Sequence, residues 1–377
     1  MKTEINVNAN IITWAIARAG YGLNEFISTT PKTNIQEWIN GTKKPTVKQL
    51  EGFSKKVHLP FGYFFLTEPP KEKLPIPFFR TGNTEAEKVS VNVYDTILLM
   101  QHRQDWLREY LIENEFQEKP FVSKFLNNNN VKEIVADIRK TLGLNEGWAS
   151  SFKTWTESIN HLVEHIEDIG IITVFNGVVE NSTKRKIDVN ECRGFVLVDK
   201  IAPFMFINNA DGKAAQMFTI AHELAHIWTG HSAGFDFRKL EPSDNPIEIL
   251  CDKIAAEFLV PETAFNTVWN EHQDIKYASK YFKVSEIVIA RRALDTGKIT
   301  KQQFYAFYDE YINREIIKKE NQGSGGDFYA TARKRISRTF ATHINNAVKS
   351  GQLLYRDAYK LTSLKGDTFK TFFSKHI

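Results

Sequence analysis

The 377-residue chain contains only two cysteines, Cys192 and Cys251. So few thiols cannot build a disulfide framework, and their scarcity fits a reducing cytosol. No apolar run approaches the roughly 18 residues that a membrane helix needs. The short piece IITWAIA at 11–17 lies between Glu4 and Arg18; the acid and the brevity of the run exclude a signal peptide. The glycines of NQGSGGD at 321–327 are not followed by Lys-Ser or Lys-Thr, so they form a flexible tether and not a phosphate loop. No fixed-period repeat is present. These absences predict a cytoplasmic chain with no membrane partner. Hydrophobic residues make up 42% and aromatics 12%, enough to fill the cores of two or three domains.

The net charge of +4 is unevenly spread. Residues 1–80 carry eleven Lys/Arg against six Glu, and 321–377 carry ten Lys/Arg against three Asp. The ends are therefore +5 and +7, leaving −8 for the middle. Basic ends on an acidic centre suit contact with nucleic acid or an acidic protein.

Helical spacing dominates, and it predicts a mostly helical α+β fold in four parts. Residues 1–66 read as a run of short helices whose cadence, ending WINGTKKPTVKQL, resembles a repressor-type helix-turn-helix. In that arrangement the helix near Asn34–Asn40 enters the major groove, with Asn34 and Gln36 at the bases and Lys43, Lys44 and Lys48 on phosphates. Pro31 falls close to where the recognition helix should start, which leaves open a docking module that has lost DNA contact. Residues 67–83, with TEPPKEKLPIPFFR, form an extended proline-rich linker or strap. The largest domain follows over 84–310, with its core at 156–265. It opens with helices at 91–113, 131–144 and 156–170, switches to strands at 171–176, 193–199 and 204–209, and contains a second helix-turn-helix cadence at 275–300 that reads as packing. The basic helical tail, 321–377, has Phe328, Ala332, Ile336, Phe340, Ile344 and Val348 stepping by four along one expected helix.

The chemistry is concentrated in FTIAHELAHIWTGHS, 218–232. On a helix His222 and His226 stand one turn apart on one face, so both imidazoles can reach one tetrahedral Zn2+. Glu223, about 100° around the helix from His222, stays off the metal but beside its water. The metal would activate that water and polarise a carbonyl, with Glu223 as general base. A third ligand decides whether the motif means metal. Glu248 and Asp252 are four apart on an otherwise apolar helix, 245–262; two unpaired acids there would be costly to bury. Glu248 is the expected ligand, and Asp252 the residue that orients His222 or His226. His231 competes, but Gly230 and His231 follow His226 by four and five residues, where the three-histidine motif needs three and six. His231 is therefore assigned to the cleft rim, as a transition-state donor or a structural residue. Cys251 is the weakest alternative.

The pairing of MFTIAHELAHIWTGH with EILCDKIAAEFLVP resembles the ImmA/IrrE family of metallo-endopeptidases. Cys251-Asp252 replaces the family's Ala-Asn, and Lys253-Ile254 replaces its x-Phe; aspartate can still accept a hydrogen bond from a histidine. The resemblance implies a cytosolic zinc peptidase that cleaves or disables a specific protein. The fused N-terminal domain and the tail resemble an antitoxin-like subgroup, which implies a cognate toxin as partner and operator DNA as a second. Two readings follow. One is a regulatory endopeptidase acting on a single protein substrate; the other is an antitoxin or transcription regulator whose zinc fold binds or senses without turnover.

Overall fold

In a computed structural model, which describes residues 3–72, 78–80, 89–236, 245–314 and 327–377, the chain divides into two compact units. The first holds residues 1–75 and 85–97, the second 76–84 and 98–377. Among the described residues no helix is long and apolar enough to cross a membrane. The expected tether lies, up to 326, outside the described residues.

In the first unit, apolar residues at helical spacing produce four α-helices: α1 (Ala9–Arg18), α2 (Leu23–Thr29), α3 (Ile35–Ile39) and α4 (Val47–Lys56). Thr46 starts α4 with a reciprocal cap: its hydroxyl accepts from the Gln49 N–H while the Gln49 side chain accepts from the Thr46 N–H. Pro31 lies in the turn before α3, and that helix is a single turn. Phe26, Trp38 and Phe53 form the aromatic centre, with Phe53 edge-on to the other two rings at 5.7 and 6.0 Å. Arg18 donates to Glu72 at 2.7 Å and Asp95 at 3.0 Å.

The second unit is organised on a five-stranded sheet. Its strands are β1 (Phe78–Arg80), β2 (Ile172–Phe175), β5 (Gly194–Leu197), β6 (Phe204–Ile207) and β7 (Ala233–Asp236), in the order β1-β7-β5-β6-β2. β3 (Val178–Val179) and β4 (Ser182–Lys186) form a separate hairpin. The three expected strands are the contiguous block β5-β6-β2. β1 and β7 correct that count: each is too short to show a period of two, and β1 sits in the proline-rich stretch. β5 runs antiparallel to β6 and β7; the outer pairs β2–β6 and β1–β7 are parallel.

Helix α5 (Val91–Glu113) precedes α6 (Val131–Leu142) and α7 (Trp155–Asp168), and α8 (Lys213–Thr229) and α9 (Pro246–Leu259) follow β6 and β7. After them come α10 (Glu262–His272), α11 (Ile275–Phe282), α12 (Glu286–Asp295) and α13 (Lys301–Asn313). The tail supplies α14 (Phe328–Ile336), α15 (Arg338–Lys349), α16 (Tyr355–Thr362) and α17 (Gly366–Lys375). β2, β5 and β6 are buried along their whole lengths, because helices cover both faces. Val196, Met205 and Ile207 join the core around α8 and α9. On the opposite face Phe204 meets Phe340 of α15 at 5.5 Å, and Trp106 of α5 meets Phe340 at 5.7 Å. The tail thus shares a unit, and a core, with the sheet.

The tail does not form one continuous helix. Ser337 breaks it, with φ at +75° and its hydroxyl donating to the half-buried Glu167 carboxylate at 2.6 Å while accepting from Phe340 N–H at 3.4 Å. The period-four stripe survives the break, so periodicity alone does not reveal it. Arg103 fastens this tail. It lies on the stripe of α5 that buries Ile97, Met100 and Leu107. Its Nε donates to the Leu361 carbonyl at 2.7 Å and its Nη1 to the Arg335 carbonyl at 2.9 Å. Both carbonyls are at helix C-termini that lack partners of their own. Burial pulls the guanidinium down to about 10, so it remains charged at neutral pH. Arg103→Leu keeps the apolar volume and strands both carbonyls; denaturant titration should show a loss of about 2–4 kcal/mol.

Candidate metal centre

From Gln216 to Thr229, α8 is almost entirely buried, as expected of a helix apolar on every side. It ends at Gly230, whose φ of +84° provides the left-handed cap. Two orphan carbonyls of its last turn are filled from a loop before α6: Ser123 N–H donates to Ile227 at 2.8 Å and Phe125 N–H to Trp228 at 3.0 Å. Phe121 stacks on Trp228 at 4.6 Å. Helix α9 packs alongside. Asn245 caps its start by accepting from Ile247 N–H at 2.9 Å, Pro246 occupies the first turn, and Pro261 follows its end.

This packing brings His222, His226 and Glu248 together, all fully buried, with one ligand atom from each within 4.8 Å of the others. The two Nε2 atoms are 3.0 Å apart. Glu248 places Oε2 at 3.1 Å from His222 Nε2 and Oε1 at 3.4 Å from His226 Nε2. On the far side of His222, Nδ1 is 2.9 Å from Asp252 Oδ1. A carboxylate accepts only, so Nδ1 carries a hydrogen and Nε2 is the ring atom turned inward, its lone pair available to a cation that displaces the second proton. Two imidazole lone pairs and a carboxylate therefore converge on one point. That donor set fits a divalent cation, which relieves their mutual repulsion.

The charges within the site agree. Burial disfavours a charged His222, but Asp252 and Glu248 outweigh it and raise the ring to about 10. The two rings, against burial, hold Glu248 down to about 2. Burial lowers His226, despite Glu248 beside it. A cation takes the place of the proton that the carboxylates attract. Glu223 differs from all of these. Neither of its buried oxygens has a hydrogen-bond partner, and burial pushes the carboxyl up to about 8.

The remaining predicted residues fall into place as follows. His231 immediately follows the Gly230 cap, with its N–H on the His226 carbonyl at 3.1 Å and a buried Nδ1 that has no partner. Cys251 is a buried thiol raised well above its usual range by burial, and it is not in the ligand group. In the first unit, Asn34 and Lys43 both turn to Glu37 on the same face, Lys43 at 3.3 Å, and hold its carboxylate below the usual range. Gln36 bonds Asn40 at 3.0 Å. Lys44 and Lys48 are exposed. In the 275–300 segment, Arg291 pairs with Asp295 and Arg292 with Glu257.

Sequence reasoning missed Gly194 at the start of β5. A Cβ there would come within 2.5 Å of Thr219 Cγ2, 3.0 Å of the Phe206 carbonyl and 3.2 Å of Glu223 Oε1. The strand therefore approaches α8 directly over the glutamate, which only glycine permits.

Residues 166–294 match the family described as the IrrE N-terminal-like domain of peptidase family M78. Every residue of the candidate centre lies in that span. Residues 336–375 match a domain of unknown function (DUF8813). No curated protein and no solved structure matches the chain. The central part is thus a metallopeptidase-like domain with a buried His-His-Glu group able to hold a metal.

Two outcomes are expected. Elemental analysis should find one divalent ion per chain; Glu248→Ala should lower its affinity at least about 100-fold, and Asp252→Ala about 10- to 100-fold. The second concerns the metal-stripped protein. Glutamate ionises near 4.5 when unfolded, whereas folded Glu223 keeps its proton to about 8. Stability should therefore fall as pH rises from 4.5 to 8. Glu223→Gln cannot ionise, and should be more stable than wild type by at least about 1 kcal/mol at pH 7.5, measured by thermal unfolding in chelator.

Proposed function

We propose that the chain is a zinc-dependent endopeptidase that cleaves one specific protein partner, a repressor or a toxin-like protein, in the cytosol. The observation that carries this reading is a buried carboxylate without partners, Glu223, standing beside a converged His-His-Glu set. A carboxylate left unpaired in a core is a stability cost that catalysis explains and packing does not. Zinc supplies a Lewis acid that polarises a carbonyl and lowers the pKa of water. Within the chain, Asp252 fixes the His222 tautomer, and Glu248 and His226 complete the grip. Glu223 accepts the proton of the attacking water and returns it to the departing amine. Gly194 brings the β5 backbone against Glu223 and limits where its carboxylate can point. Two buried free thiols, Cys192 and Cys251, support a reducing compartment.

A second reading is kept on one specific observation. His222, Glu223, His226 and Glu248 have no exposed surface, so substrate reaches them only after an opening. Such a site also suits a transcription regulator or antitoxin that senses metal, or holds a toxin, without turnover. For the basic first unit we propose addressing, to operator DNA or to a protein. The commitment of Asn34 and Lys43 to Glu37 favours docking over base reading, since a carboxylate on that face repels phosphate.

The deciding experiment incubates the zinc-loaded chain with the protein encoded beside it. Wild type should give a discrete product on a gel. Glu223→Gln should retain zinc and lose about 10²- to 10⁴-fold in rate, and Gly194→Ala should lose at least about 10-fold with zinc retained. A stable uncut complex with both wild type and Glu223→Gln would establish the antitoxin reading instead. A salt-dependent mobility shift on the chain's own promoter tests the DNA partner.

A further inference from the structure

Helix α4 contains a glycine that its packing does not require. Gly52 is the sixth of ten residues in Val47–Lys56. Its φ is not in the left-handed region, and an added Cβ would meet no atom within 4 Å. Glycine inside a helix costs stability relative to alanine, and here no close approach and no unusual backbone explains it.

What the missing side chain leaves open is a cavity of about 270 Å³ between α4 and the end of α2. Phe26 and Phe53 give it an apolar wall, and Lys32, Lys48 and Lys56 supply three cations. Thr30 and Thr33 also line it, with the Thr30 hydroxyl donating to the Phe26 carbonyl. No acid does. Lys56 Nζ stands 5.0 Å over the Phe26 ring and 3.4 Å from the Thr29 carbonyl. Among the described residues neither Lys32 nor Lys48 is paired with a carboxylate. Three ammonium groups around one unfilled space repel one another, and an anion placed between them reverses the sign of that interaction.

We infer that this cavity binds a phosphate-bearing ligand, with the phosphoryl group among the three lysines and a small sugar or apolar part against Phe26 and Phe53. A phosphoryl group suits the site better than a lone carboxylate because its several oxygens can accept from the lysines together. The volume is slightly below that of ordinary small-molecule pockets, which limits an enclosed ligand to about the size of a mononucleotide. The same chemistry can come from a free phosphorylated metabolite or from one phosphate of a DNA backbone. Of the lysines foreseen on DNA phosphates, Lys48 lines this cavity while Lys43 and Lys44 lie on the turn before α4, and the site does not depend on the metal centre.

Isothermal titration of the full-length chain at low salt, with pyrophosphate, adenosine monophosphate and a 20-base-pair duplex as probes, tests the inference. At least one of the two small probes should bind with a Kd below about 1 mM. Gly52→Leu, which fills the cavity, and Lys48→Gln, which removes one cation, should each weaken that binding at least about 10-fold. Far-UV circular dichroism should stay unchanged, and Gly52→Leu should melt no lower than wild type because leucine favours the helix. Binding of the duplex alone, weakened by both substitutions, would identify the phosphate as a DNA one and keep the inference. Failure of all three probes to bind, or binding that survives both substitutions unchanged, overturns it. Lys48 is exposed, so its variant remains informative if the cavity-filling one does not fold.

Discussion

Three electron-pair donors pointing at one another inside a protein are a problem that the rest of the second unit is built to sustain. His222 and His226 present Nε2 atoms 3.0 Å apart, with Glu248 within 3.4 Å of each. Holding them there requires α8 and α9 to be fixed along their shared length. Apolar packing on every side of α8, the loop carrying Ser123 and Phe125 on its last carbonyls, and the Asn245–Pro246 start of α9 all serve that end. Removing a donor would ease that repulsion but leave a cation with a weaker grip. Conversely, a cation at that point converts the largest local penalty into the strongest local bond.

Glu223 is a second tension, independent of the first. Nothing satisfies its oxygens, and β5 presses on it through a residue that has no side chain. A chain optimised only for stability would place glutamine or leucine there. Keeping the acid is the kind of local cost that functional sites retain while the surrounding fold compensates.

Much of this was legible in the sequence, for identifiable reasons. The i,i+4 spacing of His222 and His226 fixes their common face regardless of tertiary structure. Glu248 and Asp252 stood out because acids one turn apart on an apolar helix need a partner. Thr46 and Gln49 form a local cap, so the α4 start was readable as well. What was hidden is tertiary. Gly194 looks like any residue at a strand's start until α8 lies across it. β1 and β7 are too short for periodicity and are defined by each other. Ser337 interrupts a stripe whose buried members Ala332, Ile336, Phe340 and Ile344 keep step across it, so only its distant partner Glu167 reveals the break. Lys43, expected at a phosphate, lies 3.3 Å from Glu37 of α3, a pairing across the following loop that helical spacing does not reveal.

The sheet has the metal-bearing helices on one side and the tail on the other, with Arg103 fastening two tail helices at their ends. β6 belongs to both sides at once: Met205 and Ile207 join the core around α8, while Phe204, one residue before Met205, meets Phe340. A single sheet separates the two sides, so undocking the tail would uncover the back of β6, the paired neighbour of β5, whose Gly194 bears on Glu223. Linkage requires reciprocity. By whatever factor a docked tail tightened the grip on an ion, the ion would tighten the docking of the tail by the same factor.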